Sequence, residues 1–173
     1  MLKLSPRLQT VYDHLLPGKP VWDFCCDHGY LGLNAYESGI FPEVHFVDQV
    51  PSIITNLQTR FRRRAPYMDG HPSTAFFHAV PAEEIREQLT GNVVMLGVGA
   101  HTIIRVLQQQ NFSNVDRLIL GPQKMETLVV DVLKTAPALA FSHALQKNLE
   151  VLEKERVRTL LVIDKMTQSL GHY

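Results

Sequence analysis

Short apolar runs alternate with helix-patterned segments along most of this chain, and no other feature restricts its fold as much. The first run, Val21-Trp22-Asp23-Phe24-Cys25-Cys26, reads as a buried strand. It leads through Asp27-His28-Gly29 into a helical stretch from Tyr30 to Ser38, closed by Gly39. Val44-His45-Phe46-Val47 reads as a second strand ending at Asp48, and Pro51 opens a helix running to about Arg64. Pro66 to Ser73, with Gly70 and Pro72, reads as a loop. A third strand is expected over Thr74 to Val80, then a short acidic helix opened by Pro81 and carrying Glu83, Glu84 and Glu87. Val93 to Leu96 reads as a fourth strand, Gly97-Val98-Gly99 as a tight turn and Thr102 to Gln109 as a helix. Arg117 to Leu120 follows as a fifth strand and Met125 to Leu133 as a helix. Ahead of them all, Ser5 can cap a helix with Pro6 in its first turn, Leu8, Val11, Tyr12 and Leu15 at helical spacing, and Pro17-Gly18 as its stop.

This alternation implies an α/β, doubly wound, mostly parallel sheet. After Ala138 the pattern changes: Ala140 to Leu152 and Val157 to Asp164 are expected to pair as a hairpin around Glu153-Lys154-Glu155, adding an antiparallel edge. The 173 residues read as one domain without repeats or linkers. With 17 basic and 17 acidic residues, a strongly basic nucleic-acid glove is excluded, whereas a local basic patch is not. No apolar stretch approaches the roughly 20 residues that span a bilayer, so no membrane partner is expected. The opening MLKLSPRLQTVYDHLL lacks a secretory apolar core. Cys25 and Cys26 are adjacent, which argues against a disulfide framework and for a cytoplasmic location. Together with His28 they lack the ligand spacing and fourth partner of a zinc site, so no metal is expected.

In a doubly wound sheet ligands bind at the carboxyl ends of the strands, near the point where strand order reverses. Asp48, 25 residues after Asp23, is placed to accept hydrogen bonds from both hydroxyls of a ribose. The turn after the first strand contains no G-x-G-x-x-G loop, and Asp23 and Asp27 would repel a diphosphate. They suit the ammonium of a methionine moiety, so the local electrostatics favour S-adenosylmethionine over NAD.

Leu4-Ser5-Pro6-Arg7-Leu8-Gln9-Thr10-Val11, then Asp23-x-Cys25-x-Asp27-His28-Gly29-Tyr30-Leu31, resembles the tRNA (adenine-22-N1)-methyltransferase family, which opens with an L-S-x-R-L helix and carries D-x-G-x-D-H-A-Y-L after its first strand. Gly97-Val98-Gly99-Ala100 is similar to its G-M-G-G turn, and Arg117-Leu118-Ile119-Leu120-Gly121-Pro122-Gln123 to its R-L-I-L-Q-P-N strand end. The resemblance spans roughly residues 4 to 165. It implies a Rossmann-like class I methyltransferase with a seven-stranded sheet. The implied cofactor contacts are Asp23, Cys25, Asp27, His28, Gly29, Asp48, Gln49, Gly97, Val98 and Gly99. Pro122 and Gln123 would be the catalytic positions, and Arg7, Tyr30 and Gly121 would meet the substrate. The implied partner is tRNA or another RNA, and the implied reaction is methylation at N1 of an adenine that must be unpaired or flipped out.

The departures are specific. Cys25 stands where the family has glycine, Gly29 where it has alanine, and Gln123 where it has asparagine. After the third strand the family places a carboxylate for the adenine amino group; here His78-Ala79-Val80-Pro81 brings none until Glu83. The family's helical C-terminal tRNA domain has no counterpart before Tyr173, and a chain lacking it could recruit RNA as a homodimer. These departures favour a second reading, a non-catalytic cofactor-binding or regulatory module; a nicotinamide dehydrogenase is a third. Asp23, Asp27 and Asp48 also have plainer readings as helix caps or turn residues. The run Arg60-Phe61-Arg62-Arg63-Arg64 is either a solvated helix end or a phosphate site, and it lies beyond the second strand rather than beside the expected base pocket.

Overall fold

The computed structural model describes residues 1–64, 70–135 and 143–166. Seven strands form one sheet: β1 (Val21–Phe24), β2 (Glu43–Val47), β3 (Thr74–His78), β4 (Gly91–Leu96), β5 (Val115–Gly121), β6 (His143–Glu153) and β7 (Arg156–Lys165). Their order is β3-β2-β1-β4-β5-β7-β6. β1 to β5 pair in parallel, while β7 runs antiparallel between β5 and β6. The strand order reverses at β1, between β2 and β4. This is the doubly wound, Rossmann-like methyltransferase sheet with an antiparallel C-terminal hairpin that the sequence leads one to expect.

The helices are α1 (Pro6–Asp13), α2 (Tyr30–Ser38), α3 (Pro51–Arg64), α4 (Ala100–Gln109) and α5 (Glu126–Thr135). Buried residues of α1, α2 and α3 pack with Val21, Val44, Phe46, Val94, Ile119 and Leu160 on one face of the sheet. Those of α4 and α5 pack with Trp22, Phe24, Val93, Met95, Leu118 and Leu161 on the other. The period-2 alternation within each strand divides the two cores.

Several expected boundaries shift for identifiable reasons. β1 ends at Phe24 because Cys25 turns the chain with φ 59°. β3 ends at His78, and the helix expected after Pro81 is only a single 3-10 turn, Ala82–Glu84. β4 and β5 start earlier than their apolar runs, at Gly91 and Val115; α4 starts at Ala100, and α5 spans Glu126–Thr135. The hairpin turn is Lys154-Glu155, both left-handed (φ 47° and 60°), with Glu153 and Arg156 as the last strand pair. The first part of the expected loop, residues 66–69, and the strand start at residues 140–142 lie outside the described residues. No helix among the described residues is long and apolar enough to cross a membrane.

Polar side chains fix α1 along one face of the sheet. Fully buried Asn34 on α2 binds both the N–H and the carbonyl of Leu2. Asn92 on β4 does the same for Leu16 and also donates to the Pro20 carbonyl. Arg117 makes a bidentate pair with Asp164 and donates to the His14 carbonyl at 2.8 Å. The Ser5 hydroxyl caps α1 by accepting from Leu8 N–H, so Arg7 starts its helix at a defined point beside the sheet.

Candidate functional site

Where the strand order reverses, the carboxyl ends of β1, β2 and β4 enclose a cavity of about 430 Å³. Its floor is Asp23 with the turn from Cys25 to His28. One wall is Val47-Asp48-Gln49 and the other Leu96-Gly97-Val98. Arg7 and Leu8 of α1 and Tyr30 of α2 border it, as do Pro81, Ala82 and Glu83 after β3 and Thr102 and Arg105 of α4.

The turn after β1 winds tightly because Cys25 (φ 59°), Asp27 (φ 47°) and Gly29 (φ 64°) are all left-handed. For the two residues bearing a Cβ this conformation costs roughly 1–2 kcal/mol each. Asp48 holds the turn in place: Oδ2 accepts Asp27 N–H at 3.4 Å and Oδ1 accepts Val50 N–H at 2.9 Å. Each oxygen keeps a second lone pair for a ligand. Asp23 is only 6% exposed, and its Oδ2 accepts Gly32 N–H at 3.2 Å. Burial raises its pKa from 3.8 to about 7; the Gly32 bond opposes that rise, and the charge of Asp48 adds to it. A cation bound beside this carboxyl would favour its ionised form. Burial, then Asp48 and Asp23, push the Cys25 thiol up to about 11, so it faces the cavity as an uncharged group and not as a nucleophile.

The structure brings together Asp23, Cys25, Asp27, His28, Asp48, Gln49, Gly97 and Val98 around the cavity, with Arg7 and Tyr30 at its border. Gly29, Gly99, Gly121, Pro122 and Gln123 do not line it. A Cβ on Gly29 would lie 2.7 Å from Leu57 Cδ1 and 3.3 Å from Phe46 Cδ1, so this glycine relieves crowding in the core and not at the cofactor side. Gly99 caps α4. Gly121 is buried where a Cβ would lie 2.7 Å from Leu96 Cδ2, a packing position. Pro122 is buried as well, whereas Gln123 is exposed. Gln123 is tied to the cavity wall from behind: its N–H donates to the Val98 carbonyl at 3.0 Å and its Nε2 to the Gly97 carbonyl. What it can still offer a substrate is its Oε1 acceptor and the second N–H of Nε2.

Sequence reasoning missed the Glu83–Arg105 pair. Arg105 Nε lies 2.6 Å from Glu83 Oε1, and Glu83 is largely buried. The carboxylate absent from the β3 tip thus reaches the cavity from the 3-10 turn, steadied from α4. The only signal in the sequence was the acidic turn itself.

Residues 4–139 match the family model described as Methyltransferase domain. No curated protein matches the chain in sequence. Among solved structures it is similar to the B. subtilis M1A22 tRNA methyltransferase TrmK, with a TM-score of 0.76 and 20% identity over 95% of this chain and 67% of that one. TrmK of M. capricolum, solved in complex with S-adenosyl-homocysteine, superposes with a TM-score of 0.75 at 17% identity, covering 94% and 69%. Magnesium protoporphyrin IX methyltransferase of Synechocystis PCC 6803, with bound SAM, gives 0.68 at 14%, covering 92% and 78%. At such identities these likenesses show the fold, while the family match covers most of the chain. The chain belongs to the methyltransferase domain family and is an S-adenosylmethionine-dependent methyltransferase.

Proposed function

We propose that this methyltransferase acts on RNA, at N1 of an unpaired adenine in tRNA. The observation that carries the reading is the joining of two strand ends. The acid-lined cavity of β1, β2 and β4 shares its Gly97-Val98 wall with Gln123 at the end of β5. A cofactor on one side of that wall and a base on the other would meet at its rim.

The residues present fit S-adenosylmethionine. Buried Asp23 would take the ammonium, the two Asp48 oxygens the ribose hydroxyls, and Glu83, steadied by Arg105, the adenine amino group. When bound, the cofactor supplies an electrophilic methyl on a cationic sulfonium. On the substrate side Gln123 Oε1 accepts from an exocyclic amino group, which is the donor an adenine presents next to N1. That contact turns N1 toward the cavity. N1 is already nucleophilic, so alignment and exclusion of water are what the chain must provide. Leu8 and Val98, bordering the cavity, supply apolar surface for this. The Gln123 amide is too weak a base to take up a proton at neutral pH, so the one released from the amino group after transfer passes to solvent.

Calorimetric titration with S-adenosylmethionine and S-adenosylhomocysteine, with Asp48→Ala as control, tests the pocket. Micromolar binding that the variant loses is expected. Transfer of labelled methyl to total tRNA, recovered as N1-methyladenosine by mass spectrometry, tests the substrate. Methyl recovered on another base would overturn the adenine-N1 assignment, and binding without transfer would leave a cofactor-binding module.

A further inference from the structure

Resting on the reading of an RNA substrate, we propose that the side of the cavity mouth formed by His28, Tyr30 and the arginine face of α3 docks the single-stranded RNA flanking the target base. Arg60 and Arg63 would take phosphates, and the exposed rings of Tyr30 and His28 would stack on bases.

The sequence placed the basic run away from the pocket, and the fold returns it. Ile53, in the first turn of α3, lines the cavity. Arg60 follows at i+7, on the helix face of Ile53, and Arg63, three residues further, is its neighbour on the helix surface. From there Arg60 reaches back to the mouth. Its Nη1 donates to the His28 carbonyl at 3.0 Å, and its guanidinium carbon lies 5.4 Å from the centre of the Tyr30 ring. The His28 and Tyr30 rings are themselves 5.6 Å apart, with the His28 side chain 64% exposed and Tyr30 39% exposed. Cation, phenol and imidazole thus form one open cluster at the border of the cavity, the two rings tilted at 50° to each other.

The pairing of the arginines singles out this side, where Asp27, the one exposed carboxylate beside the rings among the described residues, lies 3.8 Å from His28 Nε2. Three arginines border the mouth or lean on it. Arg7 is paired with Glu153 at 3.5 Å and Arg105 with Glu83 at 2.6 Å. Arg60 has no carboxylate partner among the described residues. One of its five N–H groups is engaged by His28, which leaves the others for a phosphate. Arg63 is exposed with no partner among the described residues. Ring faces beside free guanidinium groups are what sequence-tolerant binding of single strands requires. The cluster also answers the objection from net charge, which is zero: a few phosphates beside the mouth need a local patch, not a basic domain.

The test uses the full chain saturated with S-adenosylhomocysteine and a fluorescein-labelled oligoadenylate of about 12 nucleotides, enough to cross one such patch. Anisotropy is followed against salt. Arg60→Gln/Arg63→Gln is expected to weaken binding at least about tenfold at low salt and to flatten the log–log salt slope by about 1.4, two phosphates at about 0.7 each. Tyr30→Leu is expected to weaken it about tenfold with an unchanged slope. Lys19→Gln, removing a cation that precedes β1 at the opposite edge of the sheet, should change affinity less than about twofold. Calorimetry with S-adenosylhomocysteine is run on every variant, so loss of the cofactor pocket and loss of the RNA surface are read separately. If the double variant loses cofactor binding, Arg63→Glu alone decides, because that side chain is exposed and has no partner among the described residues. Oligoadenylate affinity unchanged in the arginine variants, or no binding to the parent chain, would overturn the proposal. So would tighter binding of a duplex of equal length.

Discussion

Asp23→Asn separates what the pocket does for a ligand from what it does to the fold. Asp23 is buried, bonded to Gly32 N–H, and raised by burial from 3.8 to about 7. A carboxyl whose folded pKa exceeds its unfolded value contributes full stability below pH 3.8 and loses it as pH rises through about 7. Above pH 7 the accumulated cost is about 4 kcal/mol, from about three pH units at about 1.4 kcal/mol each. Between pH 5 and pH 8 alone it grows by about 2.5 kcal/mol. Asparagine keeps an acceptor for Gly32 and carries no charge. Whatever fixed offset its amide introduces is the same at every pH, so the slope is diagnostic. The variant should gain on the parent by about 2–3 kcal/mol from pH 5 to pH 8, widening the Tm difference by about 5–10 °C. Affinity for S-adenosylhomocysteine should fall by about 30-fold or more, because the ammonium loses its counter-charge. Urea melts at pH 5, 6, 7 and 8, with calorimetry at pH 7.5, measure both. A stability difference that does not change with pH would refute the reasoning, as would a variant that binds as well as the parent.

Cys25→Gly, placing a residue without a Cβ at φ 59°, should stabilise the fold by about 1 kcal/mol in urea melts and tighten cofactor binding. His45 is stacked 3.6 Å from Trp22, hydrogen-bonded at 3.0 Å to His78 and flanked by Glu43, with Glu87 beyond His78. Burial lowers its pKa to about 4 against the upward pull of Glu43, and the stability it confers is present above pH 6.5 and lost as pH falls toward 4. Urea melts followed by the fluorescence of the single tryptophan should show about 3 kcal/mol less stability at pH 4 than at pH 6.5 from this group, and His45→Gln should remove that loss. Glu83→Gln should weaken S-adenosylhomocysteine about tenfold while favouring its deaminated inosine analogue, since an amide N–H₂ can donate to the ring carbonyl; calorimetry with the two ligands checks it.

What the sequence made legible was local. Gly39 and Pro51 punctuate α2 and α3, and those helices begin and end where the residues say. Asp23 and Asp48 sit at strand tips, and parallel pairing of β1 with β2 brings any such tips together. Cys25 was misread because an apolar side chain following Val21 to Phe24 looks like more strand. Its backbone instead takes the left-handed turn that a glycine would normally announce. The 3-10 turn at Ala82–Glu84 was read as a helix because Pro81 and the acids that follow are helix-start residues, and no helical run behind them extends the turn.

What escaped the sequence is the closure of the site by residues distant along the chain. Glu83 is 22 residues from Arg105, Arg60 is 32 from His28, and Gln123 is 26 from Gly97. Each pair joins elements that become neighbours only through the strand order, which no local pattern encodes. The consequence for function is direct. Motif matching finds the groups at the strand tips, which any cofactor of this shape needs, and it counts as missing any group supplied from a different element. The carboxylate absent after β3 is such a case: the turn at Ala82–Glu84 is too short to carry Glu83 past the cavity, and Arg105 holds it there. Erosion of a motif is therefore weak evidence for loss of its chemistry until the fold shows whether another element has filled the position.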